Sequence, residues 1–314
     1  MADALVRQRD GVNGDLKRLA EVMKWYRFEQ LLKGIYASAE GRPSYPPLTL
    51  LKCLLLQQWY GLSDAELEEA VSDRLSFRRF AELALDEDVP DHTTYCRFRQ
   101  ELVKHGVAEK IFKEMNRQLE KRGLILKKGT LIDATLIEAD ATVRSTAADD
   151  EDEDEDIQTS DPDAGFARRR GQAFFGYKAH IGVDQGSGLI RRARVTPANV
   201  HDSAVGDEMI CGDEACVFAD KAYHSQERRE RLRASGIQDG IMRRAARGHP
   251  LSAQERRRNR RLAPIRCAVE RVFGTLKRTY GWTRVRYRGL AKNASHFFLL
   301  CTALNLRRVL VLTT

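Results

Sequence analysis

Arg266-Cys267-Ala268-Val269-Glu270-Arg271-Val272-Phe273-Gly274-Thr275-Leu276-Lys277 is the stretch around which this chain is organised. It reads as a helix. At 100° per residue, Arg266, Glu270 and Lys277 fall within an arc of about 40°. Ile265, Val269, Phe273, Leu276 and Tyr280 form an apolar stripe beside that arc. One face can therefore pack on a core while its border presents a carboxylate between two cations. An ordinary amphipathic helix with an i,i+4 Arg–Glu pair has the same pattern. Two further features single this one out. From Arg271 to Thr314 there is no Asp or Glu, against nine Lys or Arg. Two aspartates upstream, Asp133 and Asp220, sit in or at the end of strand-type runs. A lone carboxylate at the edge of a basic region suits metal-assisted phosphate chemistry.

Those runs predict a sheet. Thr130–Ala139 and Phe174–Asp184 read as strands, Gln185-Gly186-Ser187-Gly188 as a hairpin turn, and Leu189–Pro197 as the returning strand. A helix over His201–Ile210 follows, then a buried strand Cys216–Asp220, a helix Ser225–Ala234 and a strand Ile237–Met242. Helices fill Ser252–Tyr280, and a last one covers Ala291–Leu312. A hairpin followed by strands alternating with helices predicts a mixed α/β sheet with helices on both faces.

Upstream, residues 1 to about 125 read as helices only: Gly14–Lys24, Tyr26–Gly34, Leu48–Tyr60, Asp64–Val71, Ser76–Leu85, Thr93–Lys104 and Val107–Arg122. Ser63-Asp64-Ala65-Glu66 is a capping box. Thr93, Thr94, Arg97 and Arg99 gather near the start of one helix whose Tyr95, Phe98 and Leu102 can face inward. A recognition helix is built this way, and so is a solvated surface helix. The expected division is a helical DNA-binding domain, 1–125, and an α/β domain, 126–314, with an acidic, disordered loop at about 143–170.

The net charge is +8 over 314 residues. Gln226–Arg261 holds twelve Arg against four acids, so that segment carries the whole excess. Concentrated arginine points to a polyanion, nucleic acid before membrane. Asp149–Asp156 is eight consecutive acids, either a solvated loop or a nucleic-acid mimic that folds back on the arginines and restrains them. None of the six cysteines forms a C-x-x-C pair, and the polar, charged N-terminus does not read as a signal peptide. Leu48–Tyr60 is too short to span a bilayer. A cytoplasmic chain with reduced thiols is the expectation.

Asp133, Asp220 and Glu270 carry the chemistry. A carboxylate in an apolar strand is costly unless it is paired or holds a cation. Three oxygen donors with open positions suit Mg2+ or Mn2+, and two such ions would serve an in-line displacement at phosphorus. Arg266 and Lys277 would hold DNA phosphates. No Walker-type or dinucleotide-binding glycine loop is present.

The chain resembles bacterial insertion-sequence DDE transposases, most closely the insertion sequence 5 group. The segments that carry the likeness are Pro46–Lys52 through Asp91-His92-Thr93-Thr94, Leu131-Ile132-Asp133-Ala134-Thr135, Gly176-Tyr177-Lys178-Ala179-His180-Ile181-Gly182-Val183-Asp184, Ala219-Asp220-Lys221-Ala222-Tyr223, and Arg266-x3-Glu270-x6-Lys277. One departure is Ala263, where related families have a tyrosine. The resemblance implies an RNase H-like catalytic domain and a metal-bound triad of Asp133, Asp220 and Glu270. It further implies DNA contacts at Tyr177, Lys178 and Lys221, and supporting roles for His180, Asn199, His201 and Asp202. The implied partners are double-stranded DNA, both transposon ends and target, and further copies of the chain in a homodimer or larger synaptic assembly. The implied setting is the bacterial cytoplasm, on the nucleoid when bound, with no membrane partner. A non-enzymatic DNA-binding regulator and a plain RNase H-like nuclease are the alternatives.

Overall fold

In the computed structural model, residues 14–36, 45–141, 143–145, 157–169, 171–246 and 248–313 are described. They divide into two compact units, Met1–Ile125 with Ser295–Thr314, and Leu126–Ala294.

The first unit is helical: α1 (Gly14–Val22), α2 (Trp25–Leu32), α3 (Pro47–Tyr60), α4 (Asp64–Asp73), α5 (Leu75–Ala81), α6 (His92–Lys104) and α7 (Val107–Lys121). Local chemistry sets the ends. Pro47 opens α3, where a missing N–H costs nothing, and Gly61 closes it in the left-handed region at φ 67°. The Ser63/Glu66 capping box starts α4, and Asp91 starts α6 by accepting from the Thr94 N–H at 2.6 Å. Helix α3 is buried almost all round. Its one lysine, Lys52, lies over the Trp25 ring and donates to Glu82 at 2.7 Å.

The second unit holds a six-stranded sheet. Its main strands are β1 (Thr130–Glu138), β5 (Gln172–Asp184), β6 (Ile190–Pro197), β7 (Cys216–Ala219) and β8 (Gln238–Ile241). Their order is β6-β5-β1-β7-β8, with β5 antiparallel to both β6 and β1, and β7 parallel to both β1 and β8. This is the mixed α/β sheet that the element order predicts, in the RNase H-like form that the resemblance implies. One core cluster gathers Ile132, Val217, Ala219 and Ile241 from the sheet with Val205, Met209, Tyr223 and Leu232 from the segments packed on it. Helices α9 (Gln226–Ala234), α10 (Ala253–Arg266) and α11 (Ala268–Arg278) belong to this unit, and α12 (Leu290–Leu312) begins in it. A Cβ on Gly176 would collide with the Ile137 carbonyl, so the close crossing of β5 over the end of β1 requires glycine there.

Four expectations need correction. The segment expected as a disordered loop at 143–170 contains β2 (Val143–Ser145) paired with β3 (Ile157–Thr159), and β4 (Gly165–Arg169) paired with the start of β5. Strands of three to five residues beside a charge run leave no readable period. The acidic run Asp149–Asp156 itself lies outside the described residues. The helix expected over His201–Ile210 is a four-residue turn, α8 (Asp202–Val205), continued by a 3-10 turn, Gly206–Met209. The stretch 266–277 is not one helix, because Cys267 separates α10 from α11. Pro264 has no N–H to give the Arg260 carbonyl, so the ladder is weakened just before the break. Finally, Ser295–Thr314 belongs with the helical unit rather than the sheet. There the Trp59 indole donates to the Ala303 carbonyl at 2.7 Å, and His296 meets the Gln58 amide oxygen at 3.1 Å. By length and composition α12 could cross a membrane, but most of its apolar window is buried.

Candidate active site

The parallel pairing of β1 with β7 ends at Ile132↔Ala219. The next residue along each chain segment is a carboxylate: Asp133 within β1, and Asp220 just past the end of β7. Asp220 caps the 3-10 turn Lys221–Tyr223 by accepting from the Ala222 N–H at 2.7 Å. Asp133 accepts from its neighbour's amide, Ala134, at 2.9 Å. Arg266, at the end of α10, forks between elements: Nη1 donates to Asp133 Oδ2 at 3.1 Å and Nη2 to Glu270 Oε1 at 3.1 Å. One guanidinium thus joins a strand carboxylate to a helix carboxylate. Burial pushes the Asp133 carboxyl up to about 6, and the charges of Asp220 and Asp202 push the same way, against the Ala134 N–H and Arg266.

A fourth acid stands close by. Asp202, at the start of α8, pairs with Lys178 Nζ at 2.8 Å, and the same ammonium donates to the Val200 carbonyl at 2.7 Å. Tyr223 is 1% exposed, and its hydroxyl has no hydrogen-bond partner among the described residues. Burial, then the charges of Asp202, Asp133 and Asp220, hold that phenol protonated. A buried O–H within electrostatic reach of three carboxylates marks a polar pocket rather than plain core. The donor set, all carboxylate oxygen, fits a hard divalent cation, and the Arg266 guanidinium stands where such a charge is needed.

Other sequence-derived residues are placed as follows. His180 is fully buried, meets Thr196 Oγ1 at 3.0 Å, and burial lowers its pKa to about 4. The exposed His201 caps α8, its ring nitrogen accepting from the Ser203 N–H at 3.2 Å. Asn199 lies over Gly165, where a Cβ would come within 2.6 Å of its amide oxygen. Lys221 is exposed. Lys277 points back along β1 and donates to the Leu136 carbonyl at 3.3 Å. In the helical unit Arg97 is exposed, while the Thr93 hydroxyl donates to Asp91 and the Thr94 N–H completes that cap.

Three of the residues expected at DNA have partners within the fold. Tyr177 is fully buried, with its hydroxyl on both oxygens of the buried Asp161 at 2.8 Å. Lys178 is held by Asp202, and only 15% of its side chain is exposed. Arg99 forms a two-pronged pair with Asp64 and is 14% exposed. Alternation along a strand, or position along a helix, shows a polar residue but not the partner that takes it up.

Arg228 was counted in sequence among arginines facing a polyanion, yet it is 3% exposed. Its guanidinium donates to both Asp207 oxygens, to the Ser203 hydroxyl and carbonyl, and to the Tyr223 carbonyl. It therefore ties α9 to α8 and to the turn behind Asp220. Leu232 and Arg228, four residues apart on an otherwise charged helix, are the only sequence hint that this face turns inward.

A family model described as Transposase DDE domain matches residues 125–306, more than half of the chain. The chain belongs to the DDE transposase family. A second model, Transposase domain (DUF772), matches residues 3–101 of the transposase. No solved structure matches it. Membership makes the protein a DNA transposase of insertion-sequence type, in a family that uses divalent metal ions.

Proposed function

We propose that the transposase binds the terminal inverted repeats of its own element, cleaves the ends and joins them to target DNA. The observation that carries this reading is the Arg266 bridge between Asp133 and Glu270, with Asp220 next in register to Asp133. A regulator that only binds DNA has no use for carboxylates held against a phosphate path, since each repels the ligand.

Asp133, Asp220 and Glu270 would hold Mg2+ or Mn2+, two ions in the full assembly. Bound there, the ions supply the charge that activates a water or 3′-hydroxyl and offsets the leaving oxygen. The protein's own part is positioning. Pairing of β1 with β7 up to Ile132↔Ala219 supports a common end for the two aspartates, and the Arg266 bridge from Asp133 supports Glu270 of α11 as the third carboxylate. Arg266 and Lys221 supply fixed positive charge for phosphate oxygens. In the helical unit, α6 reads the ends through Thr93, Thr94 and Arg97. Assignment to the insertion sequence 5 group rests on the motif segments quoted above. The working unit is a dimer or larger synaptic assembly in the bacterial cytoplasm.

The test is a cleavage and strand-transfer assay with Mg2+ or Mn2+ on duplexes bearing the element's ends. Asp133→Asn should abolish both products while DNA binding stays the same or tightens. Cleavage without strand transfer in the wild type would make the protein a nuclease. Persistent cleavage in Asp133→Asn would remove that residue from the triad.

A further inference from the structure

The arginines between Gln226 and Arg261 fall into two populations. One is paired with acids of the fold. Arg228 and Arg231 pair with Asp207, and Arg229, Arg243 and Arg258 surround Asp239. The other includes Arg257, Arg260 and Arg261 on α10. All three are exposed, with no hydrogen bond or ion pair to any described residue.

Helix α10 is unusual in another way: it buries no side chain. Its half-buried positions, among them Arg258, Asn259, Leu262 and Arg266, recur at helical spacing and form its inner face. Polar clamps do much of the holding. Arg258 donates to the Ile241 carbonyl at 2.7 Å, and the Asn259 amide exchanges two hydrogen bonds with the Arg243 backbone at 2.9 and 3.0 Å. The opposite face carries Arg257, Arg260 and Arg261 at i, i+3 and i+4, where like charges repel. Among the described residues, none relieves that repulsion. A helix pinned by one face, with unscreened charge on the other, is ordered for an external anion.

We propose that the outer face of α10 is a docking surface for the backbone of double-stranded DNA, read without regard to sequence. The proposal rests on the reading that this protein acts on DNA. Charge complementarity identifies the partner, and its place on the same helix as Arg266, which grips Asp133 and Glu270, favours DNA over other polyanions. From Arg257 to Arg261 the helix rises four residues, roughly 6 Å, the span of about two phosphates along one strand. Arg257, Arg260 and Arg261 offer one outer strip of the helix, on the side away from Arg266, to the phosphates of duplex DNA, while base recognition belongs to the helical unit.

The test uses the full chain with Arg257, Arg260 and Arg261 all changed to Gln, and measures affinity for a random-sequence duplex across a salt series. Each phosphate contact contributes about 0.9 to the slope of log affinity against log salt. The slope should become shallower by roughly 2–3, and the preference for the element's ends over random DNA should hold. A variant with Lys110, Lys113 and Lys121 of α7 changed to Gln controls for net charge and should lose less than half as much slope. No partner is lost, so thermal melting should not fall. If the triple variant does not fold, Arg257→Gln alone should lower the slope by about 0.9. An unchanged slope overturns the proposal, and an unchanged slope with loss of self-association assigns the strip to a second copy. Wild-type protein that binds no DNA would instead defeat the proposed function itself.

Discussion

Replacing Arg228 with Ala should loosen the sheet-containing unit more than any surface arginine change. The side chain is 3% exposed and bonds to four different groups on two segments. Removing one partner of a buried ion pair costs about 3–5 kcal/mol when the other charge is left stranded. Asp207 is 39% exposed and keeps Arg231 at 2.6 Å, so the stranded-charge share here is nearer 1–2 kcal/mol on that scale. The Tyr223 and Ser203 carbonyls each lose a donor, at about 1 kcal/mol apiece with water entering the gap. The expected loss is about 3–4 kcal/mol, a fall in melting temperature of roughly 6–15 °C for a unit of this size.

The two units need not unfold together, so one global transition would misstate the effect. Urea titration read by hydrogen exchange in peptides from Leu126–Ala294 isolates the right unit. The turn Lys221–Tyr223 should lose protection first, and cleavage should fall because that turn carries Asp220. Arg228→Lys should recover less than half, since one ammonium cannot serve four groups in a planar fork. A loss below about 1 kcal/mol, or full rescue by Lys, would refute the reasoning, because either result makes Arg228 a simple surface charge.

His180 gives a pH prediction. Its folded pKa of about 4 lies below the roughly 6.5 of an unfolded histidine, so between those values the unfolded chain binds more protons. Stability should therefore fall as pH drops from 6.5 toward 4, and His180→Gln should flatten that part of the curve in denaturation measured across pH. Asp207 acts in the same direction at lower pH. Burial raises its pKa, but Arg228 and Arg231 outweigh burial, so its stabilising contribution is lost as pH falls below the ordinary aspartate range. In the helical unit, Arg97→Ala should weaken binding to the element's ends by about 1–3 kcal/mol, with less effect on random DNA. Arg99→Ala should instead lower the stability of that unit by about 1–2 kcal/mol, because it breaks the fork to Asp64. Comparing the two variants by mobility shift and melting separates the roles.

The core strands were legible because period-2 patterning and the Gln185–Gly188 turn leave few alternatives. Asp133 and Asp220 stood out for a related reason, as charges in apolar runs that need a reason to be there. The short strands β2, β3 and β4 were not legible, because three to five residues beside a charge run carry no period. The destination of Ser295–Thr314 was hidden too. An apolar helix shows that it needs a core, but not which one.

The fate of individual cations was the least legible property, and the physics explains why. Arg99, Arg228 and Arg257 have the same side chain and all sit on helices, yet one is forked to Asp64, one is buried against Asp207, and one is exposed. What separates them is the acid that the tertiary fold brings within reach, and two of these pairs join positions 35 and 21 residues apart. Local sequence cannot encode such a distance. It can encode a deficit, as where α10 and everything after Glu270 carry arginines and lysines with almost no acid nearby. Glu270 stands at the edge of that deficit, facing the cation that also grips Asp133. That asymmetry, one helix carboxylate among cations joined through Arg266 to a strand carboxylate, is what the proposed phosphate chemistry would draw on.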